Sequence, residues 1–106
     1  MTRTVHQHRR ALGPTELVTQ LTALNGERPQ GWRLIDGALE KTFSFANFHA
    51  TMSFVNAVAH MANIEDHHPD LKVSYAKCTV RFNTHDVQGI SVSDFFCAAK
   101  VDALLD

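Results

Sequence analysis

The 106-residue sequence lacks the features that mark several specialised classes of protein. No apolar run reaches the roughly 18 residues of a membrane span, and the first six residues contain no apolar segment resembling a signal peptide. The formal net charge is only -1, without the basic excess of a dedicated nucleic-acid binder. These absences predict one soluble globular domain, located in the cytoplasm, that binds neither nucleic acid nor a membrane.

Cysteine is also scarce, since the chain contains only Cys78 and Cys97. Their spacing does not match a CxxC motif. In a reducing compartment, two isolated cysteines are more often buried small apolar residues than partners in a disulfide. We therefore expect both to be buried thiols.

The first part of the chain is predicted to form a tail and a short helix. Residues 1–12 are polar and show no sustained period, so we expect a flexible tail followed by one domain over residues 13–106. After Pro14, leucines recur at i, i+4 and i+7, which predicts an amphipathic helix that ends near Gly26.

A β-hairpin is expected next, around the dipeptide Asp36-Gly37. This dipeptide tolerates the positive φ that a tight turn requires. It separates strands predicted over residues 32–35 and 38–45. In the second strand, alternate residues are apolar and should face the core, namely Leu39, Phe43 and Phe45.

A long helix should follow and end before a pair of histidines. Asn47 is a suitable N-cap for a helix running to about Ile64. Its predicted core stripe consists of Phe48, Met52, Val55, Ala59 and Ala62. His67-His68-Pro69 must lie beyond the helix, because proline drives the preceding residue into an extended conformation. His49 and His60, on the helix itself, are interpreted as spectators.

A second hairpin is predicted from strands over residues 71–75 and 78–83. Two antiparallel strands of this length return the chain to the end of the sheet from which it came. We therefore expect Thr84-His85 to lie beside the loop that carries the histidine pair. Ser91 and Asp94 then resemble a capping box at the start of a closing helix, so Asp94 is either a helix cap or a functional residue.

The element order, a helix followed by β-β-α-β-β-α, predicts a two-layer α+β fold. Its four-stranded antiparallel sheet should carry the helices on one face. Edge strands of such a sheet often pair across subunits, so we expect a homodimer or larger homo-oligomer.

Histidine is the residue type that points to chemistry. Imidazole is the side chain whose unperturbed pKa lies nearest neutrality, so His67, His68 and His85 converging on one pocket would suit proton transfer or metal binding.

The histidines belong to a longer pattern that resembles a known family. The pattern comprises Asp66-His67-His68-Pro69-Asp70, then Tyr75, His85 and Asp94, together with Gly31-Trp32, the strand 41–45, Thr84-His85-Asp86 and Gly89. Over about residues 31–105 the sequence is similar to the pterin-4a-carbinolamine dehydratases, also called 4a-hydroxytetrahydrobiopterin dehydratases.

The resemblance implies a two-layer fold that assembles as homodimers or homotetramers, without metal or bound cofactor. It implies dehydration of the 4a-hydroxytetrahydropterin left by aromatic amino acid hydroxylases, giving the quinonoid dihydropterin that a reductase recycles. The implied catalytic residues are His67, His68 and His85. The residues expected to contact substrate are Asn63, Asp66, Leu71, Thr84 and Asp94. We hypothesise that His67 and His85 share the acid and base work, while His68 orients the pterin.

Two positions depart from the family pattern. Asn63 stands where the family usually has an acidic residue, and Leu71 stands where several members have an aromatic one. Asn63 could hydrogen-bond the pterin without supplying charge, and Leu71 would pack against the ring without aromatic stacking. Reduced activity or an altered substrate preference would follow.

Two other interpretations of the pattern stay open. Three histidines and an aspartate also make a zinc or iron ligand set, although adjacent ligands such as His67 and His68 are sterically awkward for one tetrahedral ion. The protein could instead be a non-catalytic pterin-binding or protein-dimerisation module, because animal members of the family also act as coactivators that dimerise a homeodomain transcription factor.

Overall fold

A computed structural model of the chain describes residues 10–106. Within this range the elements are α1 (Pro14–Asn25), β1 (Arg33–Ile35), β2 (Ala38–Ser44), α2 (Phe48–Glu65), β3 (Asp70–Val73), β4 (Lys77–Phe82), a short 3-10 helix (His85–Val87) and α3 (Val92–Ala103). The predicted order of helices and strands is confirmed, and so is the two-layer α+β class.

The predicted tail, residues 1–12, lies mostly outside the described range. Its last residue, Leu12, packs against the hydrophobic core and donates its backbone N–H to the carbonyl of Ile90 at 2.8 Å. Just before it, the Arg10 guanidinium pairs with the Glu16 carboxylate, whose pKa is lowered to about 2 by that hydrogen bond and by the backbone N–H of Gly13. The packed domain therefore includes Leu12.

The four strands form one antiparallel sheet in the order β1-β2-β4-β3. The turn between β1 and β2 has positive φ at Asp36 (48°) and Gly37 (77°), as the dipeptide predicted. Leu39 of β2 lies opposite Phe82 of β4, and both are fully buried. The other face of the sheet is polar, with Arg81 bonded to Glu40 at 3.1 Å.

The core lies between the sheet and the helices, where Trp32, which precedes β1, and the strand residues Phe43 and Val80 meet Phe54 and Val101 from the helices. The predicted stripe on α2 is only partly right. Ala62 is buried, but Phe48 is 49% exposed and Ala59 is exposed. The buried residues of α2 are Thr51, Phe54, Val58, Met61, Ala62 and Glu65. Apolar side chains occupy more than one face of this helix, so its packing on the sheet decides which face is buried.

Both cysteines are free, fully buried thiols, as predicted. Burial raises the pKa of the Cys97 thiol to about 12, and the nearby carboxylates of Glu65 and Asp94 add to the rise. Burial also raises the pKa of Cys78. Both thiols pack as small side chains in the core, in an environment that disfavours the thiolate.

Within residues 10–106, none of the helices combines the length and the apolar character that crossing a membrane requires.

Candidate active site

The histidine pair lies on the loop between α2 and β3. Asn47 caps the start of α2 by accepting a hydrogen bond from the Ala50 N–H, and Asp66 ends the helix in a left-handed conformation with φ of 54°. The His67 N–H still bonds to the Ala62 carbonyl at 3.2 Å. The helix end is therefore a tight turn, which holds the backbone of His67 in place.

The loop before β3 and the loop after β4 lie at the same end of the sheet. Asp70, the first residue of β3, pairs with Arg81 near the end of β4. Thr84 follows β4 closely and is fully buried. The sheet register therefore places the loop with His67 and His68 and the loop with Thr84 and His85 at the same end of the sheet, as predicted.

His67 is buried, with only 5% of its surface exposed. Its Nε2 lies 2.6 Å from Oδ1 of Asp94, and its ring lies parallel to that of Phe82, with 6.0 Å between centroids. Because a carboxylate oxygen accepts, Nε2 of His67 carries the proton in this contact. The hydrogen bond and the parallel ring together fix the orientation of the imidazole.

Asp94 is fully buried and uses both carboxylate oxygens. Oδ1 accepts from His67, while Oδ2 accepts from the Ser91 N–H at 2.9 Å and from the Thr84 hydroxyl at 2.8 Å. The contact with Ser91 caps the first turn of α3. Asp94 is therefore a helix cap and a partner of His67 at once, so the two interpretations of this residue are not exclusive.

His68 and Asn63 form a separate pair on the surface. Nε2 of His68 lies 3.0 Å from Oδ1 of Asn63, and both residues are exposed. With the amide oxygen as acceptor, Nε2 of His68 donates. Asn63 thus orients an accessible imidazole, a role that an acidic residue at this position could also perform.

His85 is exposed and begins the short 3-10 helix between β4 and α3. The preceding residue, Thr84, closes this loop through hydrogen bonds from its N–H to the Gly89 carbonyl (2.8 Å) and from its side chain to Asp94. The residue next to His85 is therefore hydrogen-bonded to Asp94, which is in turn hydrogen-bonded to His67.

The five residues predicted to contact substrate differ in accessibility. Asn63 and Asp66 are exposed, and Leu71 is half-buried against the core. Thr84 and Asp94 are buried, and their polar atoms are occupied by the contacts described above. The exposed residues are accessible to a ligand, whereas the two buried ones contact neighbouring protein groups.

Sequence reasoning missed the hydroxyl of Ser91, which lies 2.7 Å from the Thr84 hydroxyl and is fully buried. The capping box had marked Ser91 as a helix start and nothing more. Its spacing from Thr84 gave no signal, because their contact depends on how the loop of residues 85–90 folds.

The arrangement consists of proton donors and acceptors. Among residues 10–106, no group of three or more histidine, cysteine, aspartate or glutamate side chains is placed to hold a metal ion. Instead, the adjacent histidines differ in environment, since His67 is buried against Asp94 and His68 is exposed beside Asn63. Such a site can orient a polar ring compound and exchange protons with it.

Comparison with known proteins identifies the family. The family model described as pterin 4 alpha carbinolamine dehydratase matches residues 10–104. A protein of Paracidovorax citrulli, provisionally named a pterin-4-alpha-carbinolamine dehydratase, is 60% identical over 101 residues, covering 92% of this chain and 83% of its own. A protein of Nitrosomonas eutropha with the same provisional name is 55% identical over 76 residues, covering 72% of this chain and 67% of its own.

A solved structure supports the same assignment. The transcriptional coactivator/pterin dehydratase from Brucella melitensis superposes with a TM-score of 0.82 at 28% identity, over 92% of this chain and 100% of that one. The fold, the family model and the relatives agree. The chain therefore belongs to the pterin 4 alpha carbinolamine dehydratase family.

Proposed function

We propose that this protein dehydrates 4a-hydroxytetrahydrobiopterin to the quinonoid dihydropterin and water, and so supports tetrahydrobiopterin recycling. Family membership supports the reaction class. The observation that carries the proposal is the hydrogen-bonded group of His67, Asp94 and Thr84, which joins the two loops that bear the three histidines.

The reaction needs one proton delivered and one removed. The bond from C4a to the hydroxyl oxygen breaks, the oxygen leaves with the electron pair and takes a proton to become water, and a ring nitrogen loses a proton as the new double bond forms. A donor and an acceptor positioned by the protein each contribute roughly 10² to 10⁴ in rate. No oxidant, reductant or metal enters this balance.

We assign the acid and base work to His67 and His85, and the orientation of the pterin to His68. Exposure of His85 and His68 supports contact with a ligand at the surface. The Asp94 carboxylate supports a role for His67, because it fixes the ring and the proton on Nε2.

The proposed binding contacts come from the rim of the same site. Asp66 is exposed, and its carboxylate would accept hydrogen bonds from the N–H groups of the pterin. The amide nitrogen of Asn63 would donate a hydrogen bond to the pterin. Leu71 would contact the ring as an apolar neighbour. Thr84 and Asp94 would contribute through the histidines they hold.

The proposed partners are a second copy of the chain and an enzyme that supplies the substrate. The edge strands β1 and β3 of the described sheet support assembly as a homodimer or homotetramer. An aromatic amino acid hydroxylase is the source of the unstable carbinolamine, so the two enzymes would be coupled through this intermediate.

A second candidate is a non-catalytic interaction module of the same fold. An apolar groove of about 350 Å³ beside α2 favours it, lined among others by Phe45, Phe54, Leu104 and Leu105. Phe48, at the start of α2, and Tyr75, between β3 and β4, form a stacked and exposed pair. Such surfaces are typical of protein contacts.

The pH dependence of the dehydration rate tests the proposal. Acid catalysis needs one group protonated and base catalysis needs the other deprotonated, so the rate should pass through a maximum as the pH changes. A rate that is catalysed but constant from pH 5.5 to 8.5 would remove the histidine mechanism. The absence of any acceleration would favour the interaction module.

A further inference from the structure

The buried hydroxyl groups of Thr84 and Ser91 are hydrogen-bonded to each other, and that of Thr84 is also bonded to Asp94. The Thr84 hydroxyl has a single proton and donates it to Oδ2 of Asp94 at 2.8 Å. In the 2.7 Å contact between Thr84 and Ser91, the Ser91 hydroxyl must therefore be the donor. The hydrogen bonds run in one direction, from Ser91 to Thr84 to Asp94, and His67 donates to the same carboxylate from the other side.

We infer that Thr84 is a positioning residue, which with Ser91 locks the Asp94 carboxylate and thereby fixes the orientation and the Nε2–H tautomer of His67. The inference rests on the proposed dehydration, because it assigns Thr84 a role in that reaction. In this account Thr84 does not contact the pterin and instead affects His67 by holding the Asp94 carboxylate.

Burial and connectivity support this role. Thr84 and Asp94 are 1% and 0% exposed, so the group is shielded from water that could compete for the carboxylate. Thr84 is also covalently joined to His85. Thr84 therefore contacts Asp94, the partner of His67, and directly precedes His85 in the chain.

A hydroxyl is required here, whereas the methyl group of threonine only packs. Valine has the shape of threonine without the donor, so Thr84→Val would leave Oδ2 of Asp94 with the Ser91 N–H alone. The carboxylate could then rotate, and the His67 ring with it. Misplacement of a catalytic group through its supporting residue typically costs about 10- to 100-fold in activity.

The test compares Thr84→Val, Thr84→Ser and Ser91→Ala in two measurements. The first is kcat and KM for dehydration of 4a-hydroxytetrahydrobiopterin. The second is the tautomer of His67, from two-bond ¹H–¹⁵N correlation spectra of protein labelled with ¹⁵N-histidine and assigned with His67→Gln. The matched control is Thr79→Val, which removes an exposed hydrogen bond to Thr42 on the other face of the sheet.

We expect Thr84→Val to lower kcat about 10- to 100-fold with little change in KM, and to lose the pure Nε2–H tautomer of His67. Thr84→Ser should retain both properties, Ser91→Ala should lower kcat less than Thr84→Val, and Thr79→Val should match the wild type. If Thr84→Val keeps the wild-type kcat and tautomer, the inference is overturned.

The remaining outcomes also decide the question. A folded Thr84→Ser protein that loses as much kcat as Thr84→Val would assign the effect to the methyl group and overturn the inference. If Thr84→Val does not fold, Thr84→Ser and Ser91→Ala carry the test, and an unchanged kcat and tautomer in Ser91→Ala overturns the shared role of the hydroxyls. If the wild type shows no dehydration, the proposed function fails, while the His67 tautomer still reports whether Thr84 positions the ring.

Discussion

Nε2 of His67 and Oδ1 of Asp94 lie 2.6 Å apart, although the two residues are 27 positions apart in the chain. The other oxygen of the same carboxylate caps the first turn of α3. Asp94 therefore links the loop before β3 to the start of the last helix. A change at this residue should affect the stability of the fold and the activity of the site together.

Asp94→Asn tests the structural part of that link. An amide has one acceptor oxygen where the carboxylate has two, and its NH₂ group would face the buried donors of His67, Ser91 or Thr84. We expect the free energy of unfolding to fall by about 3 kcal/mol, measured by urea denaturation. Asp70→Asn, at an exposed carboxylate, is the control and should stay within about 0.5 kcal/mol of the wild type. A loss below about 1 kcal/mol for Asp94→Asn would show that the buried contacts contribute little.

Asn63 is predicted to orient His68. Asn63→Ala removes one hydrogen bond between exposed side chains, worth about 1 kcal/mol, so kcat/KM should fall about fivefold. Asn63→Asp keeps an acceptor for Nε2 of His68 but loses the NH₂ group proposed to donate to the pterin, so its kcat/KM should fall less than that of Asn63→Ala. Equal losses in both variants would mean that the hydrogen bond between His68 and Asn63 contributes nothing to the rate.

The buried cysteines should be unreactive in the folded protein. Because Cys97 and Cys78 are fully buried and their pKa values are raised, neither is expected to react with the thiol reagent DTNB at pH 8. Both should react fully in guanidinium chloride. Rapid reaction of one thiol in the native protein would contradict the described packing.

The raised pKa of Cys97 also predicts a pH dependence of stability. The pKa is about 12 in the folded protein against an ordinary value of 9.0, so the folded state holds the proton more tightly. This contribution is fully present below about pH 9 and is lost as the pH rises towards 12. Denaturation at pH 7 to 10.5 should show a steeper loss of stability in the wild type than in Cys97→Ala. Identical slopes would assign the decline to other groups.

Local signals in the sequence predicted most of the fold. The positive φ tolerated by Asp36-Gly37 identified the first hairpin, and Asn47 and Ser91 marked the starts of α2 and α3. The buried face of α2 was not predictable in the same way. Phe48 and Phe54 are equally apolar, and only contact with the sheet makes the second a core residue and leaves the first 49% exposed.

Only part of the site was predictable from the sequence, because some of its contacts depend on tertiary packing. The spacing of His67, His68 and His85 drew attention to the two loops, and the strand lengths predicted that these loops approach each other. Sequence could not show that Thr84 is buried or that its hydroxyl contacts Asp94, because hydrogen bonds between distant residues depend on the tertiary packing. Roles of individual histidines stay predictions for the same reason.

The most direct test of the proposed function measures the rate of 4a-hydroxytetrahydrobiopterin dehydration by the wild type and by His85→Ala. The substrate is generated in situ by a phenylalanine hydroxylase and followed by ultraviolet absorbance. His49→Ala is the control, since His49 is exposed and lies about 21 Å from Asn63 along α2.

We expect strong acceleration by the wild type and by His49→Ala, and a loss of about 10²-fold or more in His85→Ala. Full activity in His85→Ala would remove this residue from the mechanism. A wild-type rate no faster than the spontaneous dehydration would contradict the proposed function itself.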